Sequence, residues 1–239
     1  MRRLLLGSGG YREPERRELL FGAMREHFAG VERILFVPYA VADHDAVVSA
    51  MAEKGFGAGF PLDGLHRATD PVAAVEQAEA IYVGGGNTFL LVDHLQRLGL
   101  LEPIRRRVAG GMPYMGVSAG SNVACPTLCT TNDMPIVQPA SHETLGLVDF
   151  QINPHYFAGQ VLVRDGDELQ EHFGETRDDR IAEYHQWNER PVVGLWEGTH
   201  LVVRGESVEL FGGPARLFRP GRRALDVAPG DALTDALGA

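Results

Sequence analysis

The stretch Tyr114-Met115-Gly116-Val117-Ser118-Ala119-Gly120 constrains the fold more tightly than any other part of the chain. Its first four residues read as a short buried strand, and the residues after Ser118 read as the start of a helix. A serine on so sharp a strand-to-helix turn needs small neighbours, because the backbone is strained there and adjoining segments crowd it. Gly116, Ala119 and Gly120 supply them. Such a turn lifts the hydroxyl out of the sheet and aims the first N–H groups of the helix at any oxyanion formed beside it. The same pentapeptide also suits a glycine-rich turn whose serine only caps a helix, so the rest of the chain has to decide.

Upstream of the serine, apolar runs alternate with helical patterns. Arg3–Leu6 reads as a first strand ending in Gly7-Ser8-Gly9-Gly10, and Glu13 to Phe28 carries Leu19, Leu20, Met24 and Phe28 at helical spacing. No Gly-Lys-Ser/Thr follows those glycines and the G-x-G-x-x-G spacing fails, which excludes a standard phosphate loop. Arg33–Pro38 is a second strand, Asp43–Lys54 a helix ended by Gly55, and Phe60–Leu65 a weaker strand. A helix opens at Asp70-Pro71. Ala80–Val83 is a further strand that runs into Gly84-Gly85-Gly86-Asn87-Thr88 and a helix, and Leu101–Val108 is another helix. The alternation predicts an α/β fold, a doubly wound and mostly parallel sheet with helices on both faces. In such sheets ligands bind outside the carboxyl ends of the strands, where the Gly84–Gly86 turn and Ser118 both fall.

Beyond the serine helix the pattern loosens. Thr130–Pro135 is polar and reads as a loop near the mouth of a site. Phe150–Pro154 is a strand with His155 just beyond it, Gly174–Arg177 opens a helix to about Gln186, and Pro191–Trp196 is a strand followed by Glu197. His200–Phe211 reads as two short strands around Gly205, with another near Arg216–Phe218, which predicts antiparallel strands toward the C-terminus. The Gly/Asp/Ala-rich tail from Ala228 reads as frayed. No repeat or linker interrupts residues 1–239, which read as one domain.

The formal net charge of −10 and a pI near 5.3 disfavour nucleic acid as a partner. Leu4-Leu5-Leu6 is too short for a signal h-region or a membrane span, so neither export nor a membrane is expected. Two cysteines, Cys125 and Cys129, make neither a disulfide framework nor a zinc signature, and fit a reduced, cytoplasmic protein.

A serine hydroxyl needs a positioned base to act as a nucleophile. His27, His44, His66 and His94 lie in or beside helices among charged neighbours and read as solvated, whereas His155 stands at a strand end, where active sites gather. The base in turn needs an acid to fix its tautomer. Asp133 in the polar loop and Glu197 after its strand both qualify, and sequence order does not rank them.

Six separate stretches now carry a resemblance: Gly116–Thr127, Thr130–Val137, Gln151–His155, Gly84–Phe89, Gly174–Arg177 and Gly194-Leu195-x-Glu197-Gly198. In order and with compatible spacing, they resemble the peptidase E family of α-aspartyl dipeptidases. The resemblance implies a fold like that of class I glutamine amidotransferases, and cleavage of dipeptides and some short peptides with an N-terminal aspartate. It implies Ser118 as nucleophile and His155 as base, with Asp133 and Glu197 as alternative third members, Asp133 placed first. The backbone N–H groups of Gly86 and Ala119 are the implied oxyanion donors. A homodimer is also implied, and no metal or organic cofactor is required. Ser121 stands where some relatives have alanine and Trp196 replaces a proline, neither touching that chemistry. Specificity for an acidic side chain needs a cation, and Arg177 is the candidate, since arginine offers a carboxylate a bidentate fork. Two other expectations stay open, a cyanophycinase-like hydrolase of β-linked aspartyl peptides and an amidotransferase-like binding module without catalysis.

Overall fold

The computed structural model describes residues 1–231 and 233–238. The elements run β1 (Arg3–Gly7), α1 (Pro14–His27), β2 (Ile34–Val37), α2 (His44–Glu53), β3 (Leu62–Gly64), α3 (Pro71–Gln77), β4 (Ile81–Val83), α4 (Thr88–Arg97), α5 (Leu101–Ala109), β5 (Tyr114–Val117) and α6 (Ala119–Asn122). There follow β6 (Gln151–Pro154), β7 (Leu162–Asp165), β8 (Glu168–Glu171), α7 (Arg177–Tyr184), β9 (Val192–Leu195), β10 (His200–Arg204), β11 (Ser207–Phe211), β12 (Ala215–Phe218), β13 (Leu225–Val227) and α8 (Thr234–Gly238). Helix starts follow local chemistry. Asp43, Asp70 and Asn87 each accept a hydrogen bond from a first-turn amide of α2, α3 and α4, and Thr176 and Asp179 form a reciprocal capping box on α7.

A seven-stranded sheet has the order β11-β10-β1-β5-β4-β2-β3, with β1 to β5 parallel and β10 and β11 antiparallel at one edge. The inner strands β1, β4 and β5 are buried on both faces. Leu4 and Leu6, Ile81 and Val83, and Tyr114 enter one core cluster, while Leu5, Tyr82 and Met115 enter the opposite one with α1. The fold class expected from the sequence is therefore the one observed. A second sheet, β13-β12-β9-β6, was not expected as a separate layer. Ile152, Val193, Leu195 and Leu217 on its inner side join the larger core.

α6 is one turn long, so Cys125 lies beyond it. The hairpin β7–β8 went unforeseen, because all eight of its strand residues are exposed and no burial pattern marks them. The helical histidines are not uniformly solvated. His27 is buried with Nε2 3.0 Å from the Tyr114 carbonyl, the His66 ring is 11% exposed, and His44 packs between the rings of Tyr39, His66 and His94.

Burial pushes both His27 and His200 down to about 4 from an ordinary 6.5, with nearby arginines adding to the effect on His27. The folded state keeps these rings neutral while the unfolded chain takes up protons below 6.5, so stability falls as pH drops from 6.5 toward 4. Each ring is expected to withdraw roughly 2–3 kcal/mol over that window. Urea midpoints at pH 7.5 and 4.5 check this, and the acid-induced drop should shrink in His27→Gln.

Candidate active site

Parallel register brings three turns to one place. Gly7 of β1 pairs with Val117 of β5, and Gly116 of β5 pairs with Val83 of β4. Their next residues, Ser8–Gly10, Ser118 and Gly84–Asn87, therefore meet at the carboxyl end of the sheet. In the second sheet β6 and β9 are also parallel, with Pro154 opposite Leu195, so His155 and Glu197 leave that sheet side by side.

Ser118 has φ 56° and ψ −114°, a conformation few L-residues adopt. The glycines around it permit the approach. A Cβ on Gly116 would overlap the Gly120 carbonyl, and one on Gly120 would overlap the Val83 carbonyl of the neighbouring strand. Gly86, at φ 139°, has its missing Cβ pressed against the Ala40 carbonyl. Neither the Gly86 nor the Ala119 amide has a hydrogen-bond partner among the described residues, and both flank the serine.

Ser118 Oγ lies 2.8 Å from His155 Nε2, and His155 Nδ1 lies 2.8 Å from Glu197 Oε1. Side-chain exposures of 41% and 43% leave the His155–Glu197 pair open to solvent on one side. Its other side is covered by Gly9 and Gly10, whose absent side chains would collide with His155 Cε1 and with Glu197. His155 is itself at φ 55°. Its amide donates to Ser8 Oγ at 2.8 Å, and Ser8 Oγ donates to the Leu195 carbonyl at 2.9 Å. Tyr156, next in sequence, is buried against Gly194 with its hydroxyl on Asp178. Two anchors thus hold the strained histidine.

Asp133 is placed elsewhere. Its Oδ2 accepts from the Thr88 amide at 2.7 Å, from Thr88 Oγ1 at 2.6 Å and from Thr131 Oγ1 at 3.1 Å. It satisfies the first turn of α4 and makes no hydrogen bond to His155. Of the two acids left unranked by sequence order, Glu197 is the one on the histidine. Arg177 stacks on Phe157, its centre 5.5 Å from the ring, and donates to Asn132 Oδ1, while Asn132 Nδ2 donates to the Pro154 carbonyl. Its Nε is buried without a partner, and it touches no carboxylate. Sequence reasoning passed over Ser8, Gly9 and Gly10 as a simple turn. Two glycines where the chain could have any residue were the available signal.

A cavity of about 580 Å³ opens beside Ser118 and His155, floored by Gly85 and Gly86. The remaining chemistry is sparse. Burial pushes the Cys125 thiol up to about 12, so it forms no thiolate near neutral pH. Among the described residues no cluster of His, Cys, Asp or Glu is arranged to hold a metal ion, and no helix is long and apolar enough to cross a membrane.

Comparison with known proteins decides the family. The model of peptidase family S51 matches residues 3–211. The chain belongs to peptidase family S51. It is a serine peptidase by that membership. It is 48% identical over 206 residues to peptidase E of Streptomyces coelicolor, covering 86% of this chain and 82% of the relative. It is 44% identical over 203 residues to a Drosophila melanogaster protein named "probable alpha-aspartyl dipeptidase", covering 84% and 82%. The solved structure of a peptidase from an acI-B1 Actinobacterium superposes with a TM-score of 0.68 at 18% identity, covering 97% of this chain and 96% of that one, and so shares the fold.

Two substitutions test the geometry. Gly120→Ala forces backbone away from Val83 and should cost about 3 kcal/mol or more, read as a fall in the denaturation midpoint. Ser8→Ala leaves the His155 amide without its acceptor and should lower turnover by about tenfold, with a smaller effect on KM.

Proposed function

We propose that this S51 peptidase hydrolyses dipeptides and short peptides carrying an N-terminal aspartate, through an acyl-enzyme on Ser118. The observation that carries the reading is the unbroken relay from Ser118 Oγ through His155 to Glu197 at the mouth of a cavity. Two relatives, peptidase E and an alpha-aspartyl dipeptidase, bear names with that specificity or family.

His155 Nε2 takes the Ser118 proton as Oγ attacks the aspartyl carbonyl carbon. The carbonyl electrons move onto oxygen, where the free amides of Gly86 and Ala119 receive the charge. Glu197 holds Nδ1–H and stabilises the imidazolium. His155 then delivers its proton to the leaving amine, the C–N bond breaks, and water releases aspartate by the reverse sequence. Arg177, without a carboxylate of its own, supplies the cation for the aspartyl side chain. Asp133 contributes by holding Thr88 and with it the turn that carries Gly86. Two unpaired cysteines, Cys125 and Cys129, suit a reducing, cytoplasmic setting.

Hydrolysis of Asp-Leu beside Glu-Leu, Ala-Leu and β-Asp-Leu tests the specificity. Turnover of Asp-Leu alone is expected, and cleavage confined to β-Asp-Leu would move the assignment to a cyanophycinase-like hydrolase. Ser118→Ala should abolish turnover, a loss of about 10⁴-fold or more. Glu197→Gln should lower kcat by about 10³-fold. Asp133→Asn should lose less. The reverse ranking would put Asp133 on the histidine.

A further inference from the structure

The aspartyl reading leaves one feature of the site unused. The cavity beside Ser118 is walled by Arg12, Arg17 and Lys54 together with Met51, Phe56 and Tyr82, and Arg177 is not among its walls. In a chain of net charge −10, cations find carboxylates easily: Arg33, Arg67, Arg97, Arg106, Arg190, Arg204 and Arg216 each sit on one. No ion pair or side-chain hydrogen bond ties Arg12, Arg17 or Lys54 to anything among the described residues. Three unpaired cations beside the nucleophile, against an apolar wall, make a surface for an anion that arrives with an apolar group.

The substrate of an aspartyl dipeptidase carries such a group. An Asp-Xaa dipeptide has two carboxylates, one on the aspartyl side chain and one at the end of Xaa, on opposite sides of the scissile bond. Arg177 answers the first. We propose that Arg12, Arg17 and Lys54 form the leaving-group subsite and take the terminal α-carboxylate of Xaa, while Met51, Phe56 and Tyr82 receive its apolar side chain. The inference rests on the aspartyl dipeptidase reading and deepens it. A longer peptide puts a neutral amide where that carboxylate would be, so the subsite favours dipeptides by charge and not by blocking the groove. Each cation is partly solvated, so the selection is shared among the three and modest for any one.

The ratio of kcat/KM for Asp-Leu to that for Asp-Leu-NH₂ measures the selection, since the two differ only in the terminal charge. Wild type should prefer the acid by about tenfold or more, mostly through KM, and the triple variant Arg12→Gln/Arg17→Gln/Lys54→Gln should bring the ratio close to one. Because both substrates meet the same protein, partial misfolding cancels. A ratio near one in wild type, or a preference that survives the triple variant, overturns the subsite while leaving the aspartyl specificity standing. Wild type that cleaves neither substrate overturns the functional reading itself. Lys54 is the chain's only lysine, which gives a readout independent of turnover. In Ser118→Ala, Asp-Leu should slow acetylation of Lys54 several-fold, followed by mass spectrometry, and Asp-Leu-NH₂ should not. Equal protection by both, or by neither, also overturns the subsite.

Discussion

The contact between the Gly120 backbone and the Val83 carbonyl is what the rest of the site depends on. Helix α6 can begin directly above β5 only if it lies against the neighbouring strand β4 with nothing between the two backbones, and a single Cβ would prevent that. This closeness forces the turn at Ser118 into a left-handed conformation, at a cost on the order of 1–3 kcal/mol. Burial of β5 between β1 and β4 offsets the strain. In return Ser118 Oγ stands 2.8 Å from His155 Nε2. The same strand pair sets the Gly84–Gly86 turn nearby, so one packing constraint places the proposed nucleophile and both proposed oxyanion donors.

His155 and Glu197 follow strands of a different sheet, and the two sheets must be held in register. Ser8 does this. Its hydroxyl sits at the end of β1, accepts from His155 and donates to Leu195, so both its hydrogen-bonding roles are used across the junction. Gly9 and Gly10 then let the turn after β1 pass directly over the imidazole and the Glu197 carboxylate. His155, like Ser118, is a strained residue over-determined by its neighbours. Of the three non-glycine residues at positive φ among the described residues, Ala58, Ser118 and His155, two are the pair whose mutual distance the proposed reaction depends on.

The alternation of strand and helix was legible because β1, β2, β4 and β5 are short apolar runs and α2, α3 and α4 each begin at a capping side chain. The serine turn was legible because only small residues tolerate it. The β7–β8 hairpin was not, since a strand without a buried face leaves no period-two pattern. The buried histidines were misread for a related reason. Charged neighbours in sequence say little about a ring that points inward: His27 packs beside Phe28 with Nε2 on the Tyr114 carbonyl although Arg25 and Glu26 precede it in the chain. Choosing between Asp133 and Glu197 was beyond sequence because the partner of a base is set by register between β6 and β9, which no local pattern encodes.

The placement of the two acids also explains why each looks important to the same site. Glu197 touches the histidine, while Asp133 accepts from the buried amide and hydroxyl of Thr88 at the start of α4, immediately after Gly86 and Asn87. Asn87 is tied to the Ala40 and Met134 carbonyls, so the turn is held from both sides. A carboxylate at a helix start is also favoured by the helix dipole, which gives Asp133 a stabilising role of its own. In the proposed mechanism Glu197 therefore acts directly on the imidazole it is hydrogen-bonded to, whereas Asp133 acts only through the turn that carries Gly86.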